Sequence, residues 1–212
     1  MITAEQNNTR TREIMAKAPV IPVLVIEDVA QAKPLAEALI AGGLPVLEVT
    51  LRTPVALDAI KVMAEVPGGI VGAGTVLSAS DVAACKAAGA KFAVSPGATD
   101  ALLDSCADAD MPLLAGAVTA SEVMRLIERG YHTAKFFPAE TVGGAPALKS
   151  LGSPLPQVTF CPTGGIGVNN AASYLSLPNV VCVGGSWVAP KAMLEANDWA
   201  GIEELARNAA AL

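Results

Sequence analysis

Residues 46–74 read VLEVTLRTPVALDAIKVMAEVPGGIVGAG. A β-branched run, V-L-E-V-T, is followed by a segment with helical spacing of Leu57, Ile60, Val62 and Met63. A Pro-Gly-Gly stop and a second apolar run, I-V-G-A-G, come next. Strands that are apolar nearly throughout and alternate with amphipathic helices imply a parallel sheet covered on its outer face. The same unit recurs outward in both directions. Apolar runs fall at 20–26 (VIPVLVI), 91–95 (KFAVS), 112–116 (PLLAG), 133–137 (TAKFF), 157–163 (QVTFCPT) and 180–185 (VVCVGG). Ala- and Leu-rich segments separate them. Several open on Ser, Thr or Asp and close on Gly, as helix caps do; Asp28 with Gly42 and Thr119 with Gly130 are examples. Eight such units in succession favour a closed (β/α)8 barrel over an open doubly wound sheet. The expected organisation is one α/β barrel domain over residues 1–212. An extra amphipathic helix precedes the first strand and either caps the barrel bottom or joins a subunit contact.

Composition narrows the functional classes. The chain has 212 residues, 52% of them hydrophobic, and a formal net charge of −6. It carries no basic stripe for nucleic acid and no apolar run of membrane-spanning length. Its start is polar, without the apolar centre of a signal peptide. A cytoplasmic protein is expected, with no nucleic-acid or membrane partner. The four cysteines, Cys85, Cys106, Cys161 and Cys182, are widely spaced and read as small buried hydrophobes with free thiols. The single histidine, His132, cannot supply the imidazoles of a catalytic zinc site. No metal and no cofactor are expected.

In a (β/α)8 barrel, functional residues sit at the C-terminal ends of strands and in the loops that follow. Glu48 and Thr50 are two residues apart and share a strand face, and Arg52 lies just beyond. Thr75 follows the third run, Pro96 and Gly97 the fourth. Lys135 lies within the sixth, against Phe136 and Phe137. The seventh ends in C-P-T-G-G-I-G and the eighth in G-G-S-W.

Each of these residues also has a plain structural reading. Glu48 and Lys135 could be a buried ion pair, Arg52 a solvated loop residue, and either Gly-Gly an ordinary turn. Two Gly pairs after neighbouring strands seven and eight carry more weight, because backbone N–H groups there form the phosphate site common in this fold. A lysine is rarely buried without a partner or a use. Apolar surroundings disfavour an ammonium ion, and the neutral amine is the nucleophile that forms Schiff bases with carbonyls. Together the residues can hold a carbonyl compound by an amine, a carboxylate by an arginine and a phosphate by backbone amides. One carboxylate remains for proton transfer. That set suits carbon–carbon bond cleavage or formation on a phosphorylated keto acid. A phosphosugar isomerase or epimerase without a covalent intermediate is the first alternative, and a non-catalytic metabolite sensor the second.

The stretches V-L-E-V-T-L-R-T, V-G-A-G-T-V-L, S-P-G, A-K-F-F-P-A-E, F-C-P-T-G-G-I and G-G-S-W resemble the bacterial 2-keto-3-deoxy-6-phosphogluconate (KDPG) aldolase and 4-hydroxy-2-oxoglutarate aldolase family, in order and over nearly the whole chain. The resemblance implies a metal-free class I aldolase on a (β/α)8 barrel, usually a homotrimer. It implies cleavage of 2-dehydro-3-deoxy-6-phosphogluconate to pyruvate and glyceraldehyde 3-phosphate in the Entner–Doudoroff pathway. The resemblance extends to 4-hydroxy-2-oxoglutarate cleavage as a further activity, and the galactonate-pathway aldolase, acting on 2-dehydro-3-deoxy-6-phosphogalactonate, is the nearest alternative. The resemblance makes Lys135 the Schiff-base lysine and Glu48 the general acid/base. Arg52 and Thr75 become the carboxylate contacts, and Thr163 the hydroxyl near the aldehyde carbon. Pro96 and Phe137 line the pocket, and Gly164, Gly165, Gly185 and Ser186 contact phosphate. Two positions depart from the family pattern. Ala115 stands where a proline is common. Gly167 stands where a Ser or Thr is common, and the loss of that capping hydroxyl predicts weaker phosphate binding.

Overall fold

Eight parallel strands follow one another round a ring, and a helix crosses back between each pair. The computed structural model describes residues 1–212. The strands are β1 (Val20–Leu24), β2 (Val46–Thr50), β3 (Ile70–Gly74), β4 (Ala93–Val94), β5 (Leu113–Ala117), β6 (Thr133–Phe136), β7 (Thr159–Pro162) and β8 (Val183–Gly185). Each pairs with its sequence neighbour from β1 through to β7, and β8 pairs back onto β1. Single parallel bridges, Phe160 to Val180 and Thr163 to Gly184, join the β7 segment to the β8 segment. The expected (β/α)8 barrel is the fold observed.

The outer helices are α2 (Ala32–Ala41), α3 (Ala56–Ala64), α4 (Ala79–Ala87), α5 (Asp100–Asp108), α6 (Ala120–Glu128), α7 (Gly144–Gly152), α8 (Ala171–Leu175), α9 (Lys191–Ala196) and α10 (Trp199–Ala210). Thr119 caps α6 in a reciprocal box with Glu122, and left-handed Gly130 follows its end. The Asp28–Gly42 expectation needs correction. Asp28 caps a short 3₁₀ turn (Val29–Gln31) that leads into α2, whereas Gly42 does end α2 as its C-cap, with the left-handed residue next to it at Gly43. Gly42 is glycine for space, since a Cβ there would lie 2.5 Å from Ala206 Cβ on α10.

Strand alternation divides the core into two layers. On β2, Leu47 and Val49 face the helices and join the main core. Val46 turns inward to a separate cluster with Ile21, Phe92, Val94, Leu114, Cys161 and Cys182. Ala115 belongs to the outer layer, so this departure from the family pattern lies under the helices rather than in the interior.

The first helix, α1 (Ala4–Met15), closes the N-terminal end of the ring. Met15 joins the interior cluster. Asn7 bonds both the N–H (2.7 Å) and the carbonyl (3.2 Å) of Leu113 at the start of β5. The Thr11 and Thr133 hydroxyls meet at 2.6 Å at the start of β6. The helix caps the barrel bottom, which is one of the two placements open from sequence.

Candidate active site

Glu48 and Lys135 come from β2 and β6, four strands apart in a ring of eight and therefore opposite one another. Two long side chains are needed to span that interior. They meet with Lys135 Nζ donating to Glu48 Oε1 at 3.2 Å, and the residues are only 4% and 3% exposed. Lys135 Nζ also lies 5.4 Å from the centroid of the Phe137 ring, within cation–π range.

The neighbouring strand makes room for the carboxylate. A Cβ on Gly74 would sit 2.2 Å from Glu48 Oε1, and one on Gly72 would enter the Phe92 ring. Gly-x-Gly on the inner face of β3 therefore creates the volume that Glu48 and Phe92 occupy. Gly116, paired with Lys135, admits the Pro96 backbone in the same way. Beside the pair, the Cys182 thiol is held well above its ordinary pKa. The cause is first the Cys161 thiol beside it, then burial, then the Glu48 carboxylate. It therefore stays protonated next to the carboxylate.

Around this centre lie the other residues singled out from sequence. Arg52 Nε reaches Thr75 Oγ1 at 3.4 Å on the rim. Thr75 has φ +61, a strained left-handed conformation for a β-branched residue. Thr163 is buried, and its hydroxyl occupies the space that a Cβ on Gly184 would need. Phe137 is half-buried, and the peptide joining it to Pro138 is cis. Pro96 is exposed at the end of β4.

The two glycine turns converge on that rim. Gly164 and Gly165 have φ +103 and +74, which only glycine adopts freely in succession. The N–H groups of Gly165, Ile166 and Ser186 donate to no acceptor in the protein, and Ser186 is exposed. Gly185 packs against the Trp187 ring. Next to Ser186 a cleft of about 650 Å³ opens between the ends of β1 and β8, with Val23, Val25, Trp187 and Leu194 in its wall.

Asn170 was not singled out from sequence. Its Oδ1 accepts from Gly167 N–H at 2.8 Å and its Nδ2 donates to the Gly165 carbonyl at 3.1 Å. Asn170, not Gly167, immediately precedes α8, and its reach back to the Gly167 N–H ties the glycine turn to that helix without a hydroxyl at position 167. The Asn-Asn pair in G-V-N-N is ordinary turn chemistry in sequence, so nothing marked this role in advance.

A family model described as KDPG and KHG aldolase matches residues 11–205. A 2-dehydro-3-deoxy-phosphogluconate aldolase of Pseudoalteromonas atlantica is 55% identical over 95% of this chain and 94% of its own length. The crystal structure of the 2-keto-3-deoxy-6-phosphogluconate aldolase of Zymomonas mobilis ZM4 with 3-phosphoglycerate is 54% identical. It superposes with a TM-score of 0.91 and covers 94% of each chain. The KDPG aldolase of Legionella pneumophila, solved with pyruvate captured as a covalent carbinolamine intermediate, is 47% identical with a TM-score of 0.91. It covers 94% of this chain and 97% of its own.

Proposed function

The chain belongs to the KDPG and KHG aldolase family, and on that premise we propose that Lys135 and Glu48 carry its reaction. The enzyme is a class I aldolase that cleaves 2-dehydro-3-deoxy-6-phosphogluconate to pyruvate and glyceraldehyde 3-phosphate. The observation that carries this reading is the buried contact between an amine and a carboxylate inside the barrel, at 3.2 Å.

Lys135 Nζ passes a proton to Glu48 across their contact, and the free amine adds to the C2 carbonyl of the keto acid to give a carbinolamine. Glu48 relays protons while water leaves, and the iminium that results is an electron sink. Glu48 then takes the proton of the C4 hydroxyl. The C3–C4 bond breaks, its electrons form the enamine, and glyceraldehyde 3-phosphate departs. Protonation at C3 and hydrolysis of the iminium release pyruvate and restore the amine. Glu48 accepts a proton in one step and returns it in another, so both of its protonation states are used.

Arg52 and Thr75 bind the keto-acid carboxylate. Thr163 faces the aldehyde carbon, with Pro96 and Phe137 walling the pocket. Gly164, Gly165, Gly185 and Ser186 hold the phosphate, a role supported by the unengaged N–H groups of Gly165 and Ser186. A homotrimer is proposed on the family resemblance, and light scattering should return three times the chain mass.

The test is borohydride trapping. The protein is incubated with pyruvate, reduced, digested and read by mass spectrometry, and the adduct is expected on the peptide carrying Lys135. No adduct, or an adduct on another lysine, overturns the Schiff-base reading and favours the non-covalent isomerase.

A further inference from the structure

We propose that Tyr174 and Glu140, neither of which touches substrate, form a positioning pair that shapes the phosphate cradle; this rests on the phosphate reading of Gly164 and Gly165. Glu140 lies in the turn after β6, five residues beyond Lys135. Its own N–H donates to the Gly164 carbonyl at 3.1 Å. A Cβ on Gly165 would sit 2.7 Å from Glu140 Cβ, so the Glu140 side chain runs along the glycine turn. The Tyr174 hydroxyl donates to Glu140 Oε1 from α8, the helix that follows this turn.

Tyr174 is fully buried, and burial followed by the Glu140 hydrogen bond raises its hydroxyl well above the ordinary phenol range. It therefore remains a donor at neutral pH. Gly144, with φ +65, closes the group. A Cβ there would lie 3.1 Å from Glu140 Oε1 and 3.4 Å from the Tyr174 hydroxyl.

The consequence is geometric. The Gly164 carbonyl is held by Glu140 and the Gly165 carbonyl by Asn170, so both peptide planes are fixed. The N–H groups of Gly165 and Ile166 then point where a phosphate can use them. The bond to Tyr174 also draws the Glu140 carboxylate toward α8. Without it, a mobile negative charge would lie beside an anion site. The pair should act on recognition of the phosphate and leave the bond-breaking chemistry at Lys135 unchanged.

Tyr174→Phe keeps the ring and removes only the hydroxyl. Cleavage of 2-dehydro-3-deoxy-6-phosphogluconate is compared with cleavage of the same keto acid lacking its phosphate. The expected result is a KM for the phosphorylated substrate raised about 3- to 10-fold, the loss of one such hydrogen bond. Its kcat should stay within about twofold, as should kcat/KM for the unphosphorylated substrate. Glu140→Gln retains an acceptor for Tyr174, so its KM should stay at or below the parent's.

Equal losses on both substrates, or no change on either while the parent prefers the phosphorylated one, overturn the positioning role. So does a Glu140→Gln protein that loses phosphate recognition as Tyr174→Phe does. If the parent does not prefer the phosphorylated substrate and is not inhibited by inorganic phosphate, the phosphate reading itself fails, and this proposal with it.

Discussion

The two ends of the barrel bury polar groups in opposite ways. At the N-terminal end they are neutral, and those under β5 and β6 are partnered. Asn7 satisfies both backbone groups of Leu113, and Thr11 meets Thr133. At the C-terminal end the buried groups include a charged pair, beside the neutral Thr50, Ser95 and Thr163. Glu48 and Lys135 have one hydrogen bond between them, Thr75 sits in a strained conformation, and the glycine turns leave N–H groups unengaged. Saturated neutral bonds add stability and leave nothing to react. A lone ion pair with unused capacity costs stability and leaves groups free for substrate.

The largest effect should come from cutting the ion pair. Lys135→Ala should lower turnover on the order of 10⁴-fold or more, because the nucleophile is gone. It should also destabilise the fold by about 3–5 kcal/mol, since Glu48 is left buried without a partner. Steady-state kinetics and urea unfolding read the two consequences on one protein. A Lys135→Ala enzyme with near-parental turnover would erase the contrast between the ends.

The matching cut at the bottom is Asn7→Ala. It strands the N–H and carbonyl of Leu113, at a cost of about 2–4 kcal/mol. Turnover per folded molecule should be unchanged. A fall in kcat at temperatures where the variant is folded would mean that the bottom does more than hold the ring.

Thr75→Gly sharpens the comparison from the other side. Glycine accepts φ +61 without strain, so about 1 kcal/mol of stability should be recovered. The hydroxyl beside Arg52 is lost, and KM for the keto acid should rise several-fold. If melting temperature and KM both stay at parental values, Thr75 is neither strained nor a substrate contact.

The buried thiols give a smaller effect. Burial pushes Cys85 up to about 11 and Cys106 up to about 12. A thiol-specific disulfide reagent at pH 8 should find no fast-reacting group in the native protein. It should find all four after denaturation.

The smallest effect concerns an exposed cap. Burial raises the Glu122 carboxyl more than any one bond lowers it, but the Val118 and Thr119 N–H groups and the Thr119 hydroxyl together outweigh it and hold the group below its usual range. A carboxyl depressed by folding contributes stability above its unfolded pKa. That stability is lost as pH falls through the folded value. Thr119→Ala should cost about 1 kcal/mol at pH 7 and less at pH 3, as read by thermal melts at the two pH values.

The barrel was legible because each strand announces itself locally. β2 and β3 fall on the apolar runs read for them, 46–50 and 70–74. β4 is only Ala93–Val94, shorter than its run, although the Lys91 N–H bonds the Val71 carbonyl before it and the Ser95 N–H bonds the Leu114 carbonyl after it. Asp28 misled as a helix cap because a capping side chain reads only the next two or three N–H groups. A 3₁₀ turn satisfies it as well as an α-helix does.

The sequence by itself determined the strand–helix alternation, the inward face of β2, the oddity of a lysine in an apolar strand and the identity of the family motifs. These rest on periodicity and residue chemistry along a few consecutive positions. Only the tertiary structure decided that Glu48 and Lys135, 87 residues apart, share one hydrogen bond. It alone showed that Gly72 and Gly74 are absent side chains kept for Phe92 and Glu48, and that Tyr174 reaches Glu140. A period of two states which way a side chain points from its own strand. Which side chain it meets across the interior depends on closure of the ring and the stagger of every strand between them.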